Sequence, residues 1–143
     1  MKIGIASDHA GYELKEEILK IMKEEGYDMV DYGTKSPDRV NYPDFGRKLG
    51  EGVASKEVDC GIAICGTGIG ISIAANKVHG VRAAVCSEPV SAKLSKEHND
   101  ANIIAFGARI VGIEMAKAIV EAWLNAKFQG GRHVDRVSLL DNM

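Results

Sequence analysis

Apolar and polar positions alternate in short blocks along the whole chain, and the blocks carry two different periods. "KIGIAS" (Lys2–Ser7) is an apolar run of strand length. Behind it, Leu14, Ile18, Ile21 and Met22 recur at helical spacing among Glu and Lys. Gly26 stands where a helix C-terminal glycine belongs. "YDMVDYG" (Tyr27–Gly33) predicts a second strand, followed by a polar loop holding Pro37 and Pro43. A helix over Asp44–Ala54 leads to a third strand, "VDCGIAIC" (Val58–Cys65). The next helix starts inside a glycine loop and runs to about Lys77, and Val81–Cys86 is the fourth strand. A helix follows Pro89, and Asn102–Gly107 is the fifth strand. The last long helix, ending near Lys127, carries Ile113, Ala116, Ile119, Val120, Trp123 and Leu124 on one stripe.

Strand–helix alternation of this kind predicts an α/β fold, a parallel sheet with helices on both faces. The length of 143 residues fits one domain, 1–143, large enough to bury a real core. The segment 128–143, "QGGRHVDRVSLLDNM" after Phe128, breaks the alternation and is too short and polar to add a layer. It ends in Val137, Leu139 and Leu140, so it either frays or lies across a neighbouring subunit.

Charge and cysteine content narrow the function classes. A net charge of −2 gives no general reason to bind nucleic acid or acidic membranes, so any anion site must be built locally. No apolar run approaches the roughly 20 residues that span a bilayer, and the N-terminus lacks the apolar core of a secretory signal. Cys60, Cys65 and Cys86 are odd in number and without framework spacing, which fits a reducing cytoplasm.

The chemistry concentrates at "ICGTGIGISIAANK" (Ile64–Lys77). Cys65 ends the third strand, and Gly66, Gly68 and Gly70 lead straight into a helix. Ligands of open parallel sheets bind beyond the carboxyl ends of the strands. Glycines let backbone N–H groups turn inward, and the helix N-terminus favours both an anion and a thiolate. Three readings stand side by side. Cys65 is a small buried hydrophobe beside a tight turn; or the loop is a dinucleotide site with Glu88 as ribose ligand; or a thiolate base works beside backbone donors. The spacing is G-x-G-x-G after the third strand, not G-x-G-x-x-G after the first, and no Gly-Lys-Ser/Thr follows, which counts against a nucleotide. Proton removal next to a carbonyl needs a base and donors for the growing oxyanion, and the third reading supplies both.

Further candidates flank this loop. Asp8 and His9 end the first strand and face it if strands one and three are neighbours. His98 and Asn99, just before strand five, are expected on the same ligand side. His79 reads as ordinary surface. Arg109 follows strand five, and Arg132 and Arg136 stand four apart, a spacing at which two arginines can converge on one phosphate.

Six motifs in order, "SDHAG", "GTKSPDRVNYPDF", "ICGTGIGISIAANK", "VCSEPVSA", "EHNDANIIAFGAR" and "GGRHVDR", cover Ser7 to Arg136. In these the chain resembles the B-type ribose 5-phosphate isomerases, a family shared with galactose 6-phosphate isomerase. The resemblance implies a Rossmann-like three-layer α/β/α sandwich with strand order 2-1-3-5-4. It implies interconversion of ribose 5-phosphate and ribulose 5-phosphate through an enediolate, without metal or organic cofactor. By that likeness Cys65 is the base, while Thr67 and the N–H groups of Gly66, Thr67, Gly68, Ile69 and Gly70 hold the enediolate oxygens. His98, with Asp8, assists ring opening; His9, Arg109, Arg132 and Arg136 hold the phosphate; Asn99 holds a sugar hydroxyl or the enediolate. Some members use a glutamate in the loop helix instead of the cysteine; that position is Ile71 here, which cannot take a proton. The resemblance also implies a homodimer, or a homotetramer, with active sites drawn from two chains and segment 128–143 crossing between them. The rivals are a hexose 6-phosphate isomerase acting on allose or galactose 6-phosphate, and a non-catalytic sugar-phosphate sensor. The paired Arg132 and Arg136 favour the pentose, and the joint presence of Cys65, Thr67 and His98 speaks against the sensor.

Overall fold

The computed structural model describes residues 1–143. In chain order the elements are β1 (Lys2–Ser7), α1 (Tyr12–Glu24), β2 (Asp28–Asp31), α2 (Tyr42–Ala54), β3 (Cys60–Cys65) and α3 (Ile69–Asn76). They continue as β4 (Ala83–Val85), α4 (Pro89–Asn99), β5 (Ile103–Gly107), α5 (Ile113–Asn125) and α6 (Arg132–Asp141). The five strands form one sheet in the order β2-β1-β3-β5-β4, with every neighbouring pair parallel. This is the expected α/β/α sandwich and the expected strand order.

The period-two alternation divides the core between the two faces. Ile3 and Ile5 of β1, Ile62 and Ile64 of β3, and Ile104 and Phe106 of β5 pack with α1, α4 and α5. Ala6, Ala63, Cys65, Ile103 and Ala105 point the other way, to Leu49 and Val53 of α2 and Ile71 and Ala75 of α3. The α2 face is lined by small residues, which lets that helix approach closely. A Cβ on Gly4 or Gly61, paired across β1 and β3, would lie 2.7 or 2.8 Å from a methyl of Leu49.

β1 spans its predicted run, Lys2–Ser7, whereas β2 to β5 are shorter than the apolar runs that predict them, because flanking residues bond elsewhere. Tyr27 N–H donates to Met22 and Val58 N–H to Gly52, so both close the preceding helix instead of extending a strand. The larger difference is at the C-terminus. Residues 132–141 do not fray but form a helix, α6, packed on α4 of the same chain. His133 and Val137, one turn apart, supply its buried side, and the Asp141 carboxylate receives the Arg82 guanidinium at 2.9 and 3.1 Å. Two buried residues and one ion pair suffice to dock a helix too polar to predict from hydrophobic period alone. No helix is long and apolar enough to cross a membrane.

Candidate active site

The register of the sheet sets the site. β1 and β3 pair with Ser7 opposite Ile64, and β3 and β5 with Cys65 opposite Gly107, so three strands end at one level. Asp8 N–H donates to the Ile64 carbonyl at 3.2 Å, which carries the Asp8 side chain to the same level. One Asp8 carboxylate oxygen accepts the N–H of Gly11 at 3.0 Å, and the residue is buried. His9 follows, its Nδ1 within 3.2 Å of both the N–H and the carbonyl of Val40. That contact ties the β2–α2 loop to the end of β1.

The loop after β3 is laid flat across the end of β5. Gly68 takes φ +80°, a left-handed conformation that favours glycine, and a Cβ there would lie 2.6 Å from the Phe106 carbonyl carbon. Gly107 gives way from the other side, since its Cβ would meet Thr67 backbone at 2.5 Å. This close approach turns the Gly68 N–H onto the Cys65 sulfur, 3.1 Å away. Thr67 Oγ1 accepts the Ile69 N–H at 3.1 Å. The amides of Gly66, Thr67, Gly70 and Ile71 donate to no acceptor within the chain. Cys65, 4% exposed, is therefore held ahead of α3 with a backbone donor on its sulfur and further free amides beside it, where an oxyanion is electrostatically favoured.

Arg109 completes this end. Its N–H donates to the Gly66 carbonyl at 3.0 Å, and its guanidinium lies over Gly66, 3.4 Å from where a Cβ would be. The other two thiols are different. Burial pushes the Cys60 thiol up to about 11, and burial likewise raises Cys86. Neither is followed by a glycine loop, in keeping with two structural cysteines.

A sequence model of the Ribose/Galactose Isomerase family matches residues 3–140. The chain is 54% identical over 139 residues to ribose-5-phosphate isomerase B of Escherichia coli, a match spanning 97% of this chain and 93% of that protein. It superposes on ribose-5-phosphate isomerase B of Clostridium thermocellum with a TM-score of 0.98 at 58% identity, covering 99% of this chain and 96% of that one. For the Thermotoga maritima ribose 5-phosphate isomerase the TM-score is 0.97 at 45% identity, with 99% and 98% covered. The chain belongs to the ribose/galactose isomerase family.

In this isomerase the sequence-predicted residues fall into two groups. Asp8, His9, Cys65, Gly66, Thr67, Gly68, Ile69, Gly70 and Arg109 gather at the carboxyl end of the sheet. His98, Asn99, Arg132 and Arg136 do not. The expectation that His98 and Asn99 share the ligand side is not met within one chain. Helix α4 returns antiparallel to β4 and β5, so its C-terminus arrives at the amino edge, four residues before Ile103 begins β5. There the His98 ring stacks on His133, centroids 4.5 Å apart and planes 12° from parallel. The Gln129 N–H donates to the Glu97 carbonyl at 3.0 Å, bringing Arg132 and Arg136 to the same edge at the start of α6.

The structure adds one residue to the site and gives another a structural place. The Tyr42 ring lies against Gly70, where a Cβ would come 2.5 Å from Cε1, so this aromatic side chain walls the glycine loop. Its signal was the motif "NYPDF" (Asn41–Phe45), in which an aromatic residue before a proline carries no charge to mark a role. Glu88, the ribose-ligand candidate of the nucleotide reading, instead caps α4: its carboxylate accepts the N–H groups of Val90 and Ser91 at 2.6 and 3.0 Å. Hydrogen bonds from the Ser91 hydroxyl and amide hold that carboxyl below the usual range.

Proposed function

We propose that this isomerase interconverts D-ribose 5-phosphate and D-ribulose 5-phosphate through an enediolate, with Cys65 as the base. The observation that carries the reading is the Cys65 sulfur held at 3.1 Å from the Gly68 N–H, beside buried Asp8 and over a loop of uncommitted amides. The thiolate removes the proton on C2 of the open-chain aldose. The electron pair moves to the carbonyl oxygen on C1, which bears the negative charge while the loop amides and the Thr67 hydroxyl donate hydrogen bonds to it. The same thiol returns the proton to C1 while the C2 hydroxyl proton passes to the C1 oxygen, giving the ketose. A preorganised donor on such an oxyanion is typically worth about 2.7–4 kcal/mol. The reaction moves protons only, so these residues suffice without a metal or organic cofactor.

The separation of the two residue groups supports a second element of the reading. Arg109 and His9 offer the phosphate one cation beside the loop, while Arg132 and Arg136, with His98 and Asn99, stand at the far edge. A two-fold dimer in which segment 128–143 of one copy crosses to the loop of the other completes both sites by one symmetric contact. Exposed apolar residues on α6 (Val134, Leu139 and Leu140) and on α3 (Ile69 and Ile73) give that contact its apolar area. His98 of a second copy then serves the furanose ring oxygen during ring opening, opposite Asp8.

The test is an isomerase assay on ribose 5-phosphate, allose 6-phosphate and galactose 6-phosphate, run side by side. Turnover of the pentose well above both hexoses is expected. Preference for either hexose phosphate would replace the substrate, and binding of all three without turnover would make the protein a sensor.

A further inference from the structure

The stacked imidazoles of His98 and His133 lie at two helix ends of opposite polarity. His98 occupies the last turn of α4, where the carbonyl-rich terminus tolerates a cation. His133 occupies the first turn of α6, where the N-terminal end opposes one. Like charges 4.5 Å apart also repel, so the pair holds one proton far more readily than two.

The surroundings sharpen this difference. His133 is 7% exposed, and the groups that act on it electrostatically are His98 across the stack and Arg132 and Arg136 on its own helix. Neither Glu97 of α4 nor Asp135 of α6 is among them. The remaining charges nearby are engaged elsewhere: Lys96 with Asp100, and Asp141 with Arg82. Burial first, and then these three cationic groups, lower the proton affinity of His133.

We infer that His133 is a positioning residue for His98: the neutral His133 ring fixes the plane of the His98 imidazole and leaves the pair's single proton to His98. A ring that must give and take a proton in ring opening then has one orientation and one exchangeable charge. The catalytic consequence rests on the isomerase reading, whereas the order of protonation does not.

Two measurements separate these. Proton–carbon spectra of histidine-labelled protein, with resonances assigned through His98→Asn and His133→Phe, follow each ring against pH. The His133 resonances are expected to shift at lower pH than those of His98, and in His133→Phe the lower step disappears. A His133 that takes up its proton first on acidification would overturn the inference whether or not the protein is active. The second measurement is steady-state kinetics on ribose 5-phosphate. His133→Ala, which removes the stack, should lower kcat roughly 10–100-fold with KM nearly unchanged. His133→Phe, which restores a flat ring, should recover most of that loss. An Ala variant as active as the parent, a loss expressed only in KM, or a Phe variant as poor as Ala would each overturn the positioning role. If no sugar phosphate is turned over by the parent, the isomerase reading fails and the titration order still decides the pair.

Discussion

The Asp8 N–H and the Ile64 carbonyl, 3.2 Å apart, lock the end of β1 to the residue before Cys65. A single backbone bond thereby brings a buried carboxylate and a buried thiol from positions 57 residues apart to one rim of the sheet. The same rim carries Arg109 and the amides of the glycine loop, so its parts depend on one another.

Removing the thiol tests the centre of this arrangement. Cys65→Ala should lose about 10²–10⁴-fold in turnover, or roughly 3–5 kcal/mol of barrier, with the fold and sugar-phosphate binding retained. Iodoacetamide should also modify Cys65 before Cys60, whose thiol is pushed up to about 11 by burial, and before Cys86. Bound substrate should slow that first modification. An active Cys65→Ala enzyme would falsify the assignment.

The glycine loop is tested by a pair of substitutions. Gly26 and Gly68 both have positive φ, +93° and +80°, but a Cβ on Gly26 meets nothing within 4 Å. Each alanine variant should lose roughly 1–2 kcal/mol from the left-handed backbone. Only Gly68→Ala, driven against Phe106 at 2.6 Å, must also lift the loop off β5 and move its N–H from the Cys65 sulfur. Thermal melts should show both losses, and kcat should fall in Gly68→Ala alone. Equal activity in the two variants would detach the loop from the chemistry.

Shared sites are tested by complementation. Inactive Cys65→Ala and inactive Arg136→Ala chains are mixed and allowed to exchange subunits. A Cys65→Ala chain then supplies Arg136 to a partner that keeps Cys65, so activity should reappear in the mixture. Background activity after verified exchange would place both residues in one chain's site.

A pH test concerns the support beneath the site. The fully buried Lys15 donates to both Asp31 oxygens at 3.0 Å, and one of those oxygens accepts the Gly33 N–H at 2.8 Å. Burial alone would raise the Asp31 carboxyl, but the Gly33 amide, the Lys15 ammonium and then the Lys35 charge together hold it below 3.8. A depressed carboxyl contributes stability above its unfolded value that is lost as pH falls through the folded one. Urea melts at pH 7 and below pH 3.8 should therefore lose more stability in the parent than in Asp31→Asn. A parent and variant with the same acid dependence would remove Asp31 from the account.

The sequence by itself determined the element order, the parallel sheet and the Cys65 loop. Strand and helix periods are local, and a thiol followed by three glycines before a helix has few structural uses. Six motifs then carried the family, and with it the strand order. Three matters were decided only by tertiary structure. Segment 132–141 is a helix because His133, Val137 and Asp141 find partners on α4 and at Arg82, none of them near in sequence. Tyr42 belongs to the loop because Gly70 leaves room for its ring. His98 and Asn99 sit at the amino edge because a crossover helix must run antiparallel to the strands it joins. Residues beside a strand in sequence can thus stand at the sheet's opposite end, according to which end of the strand they flank.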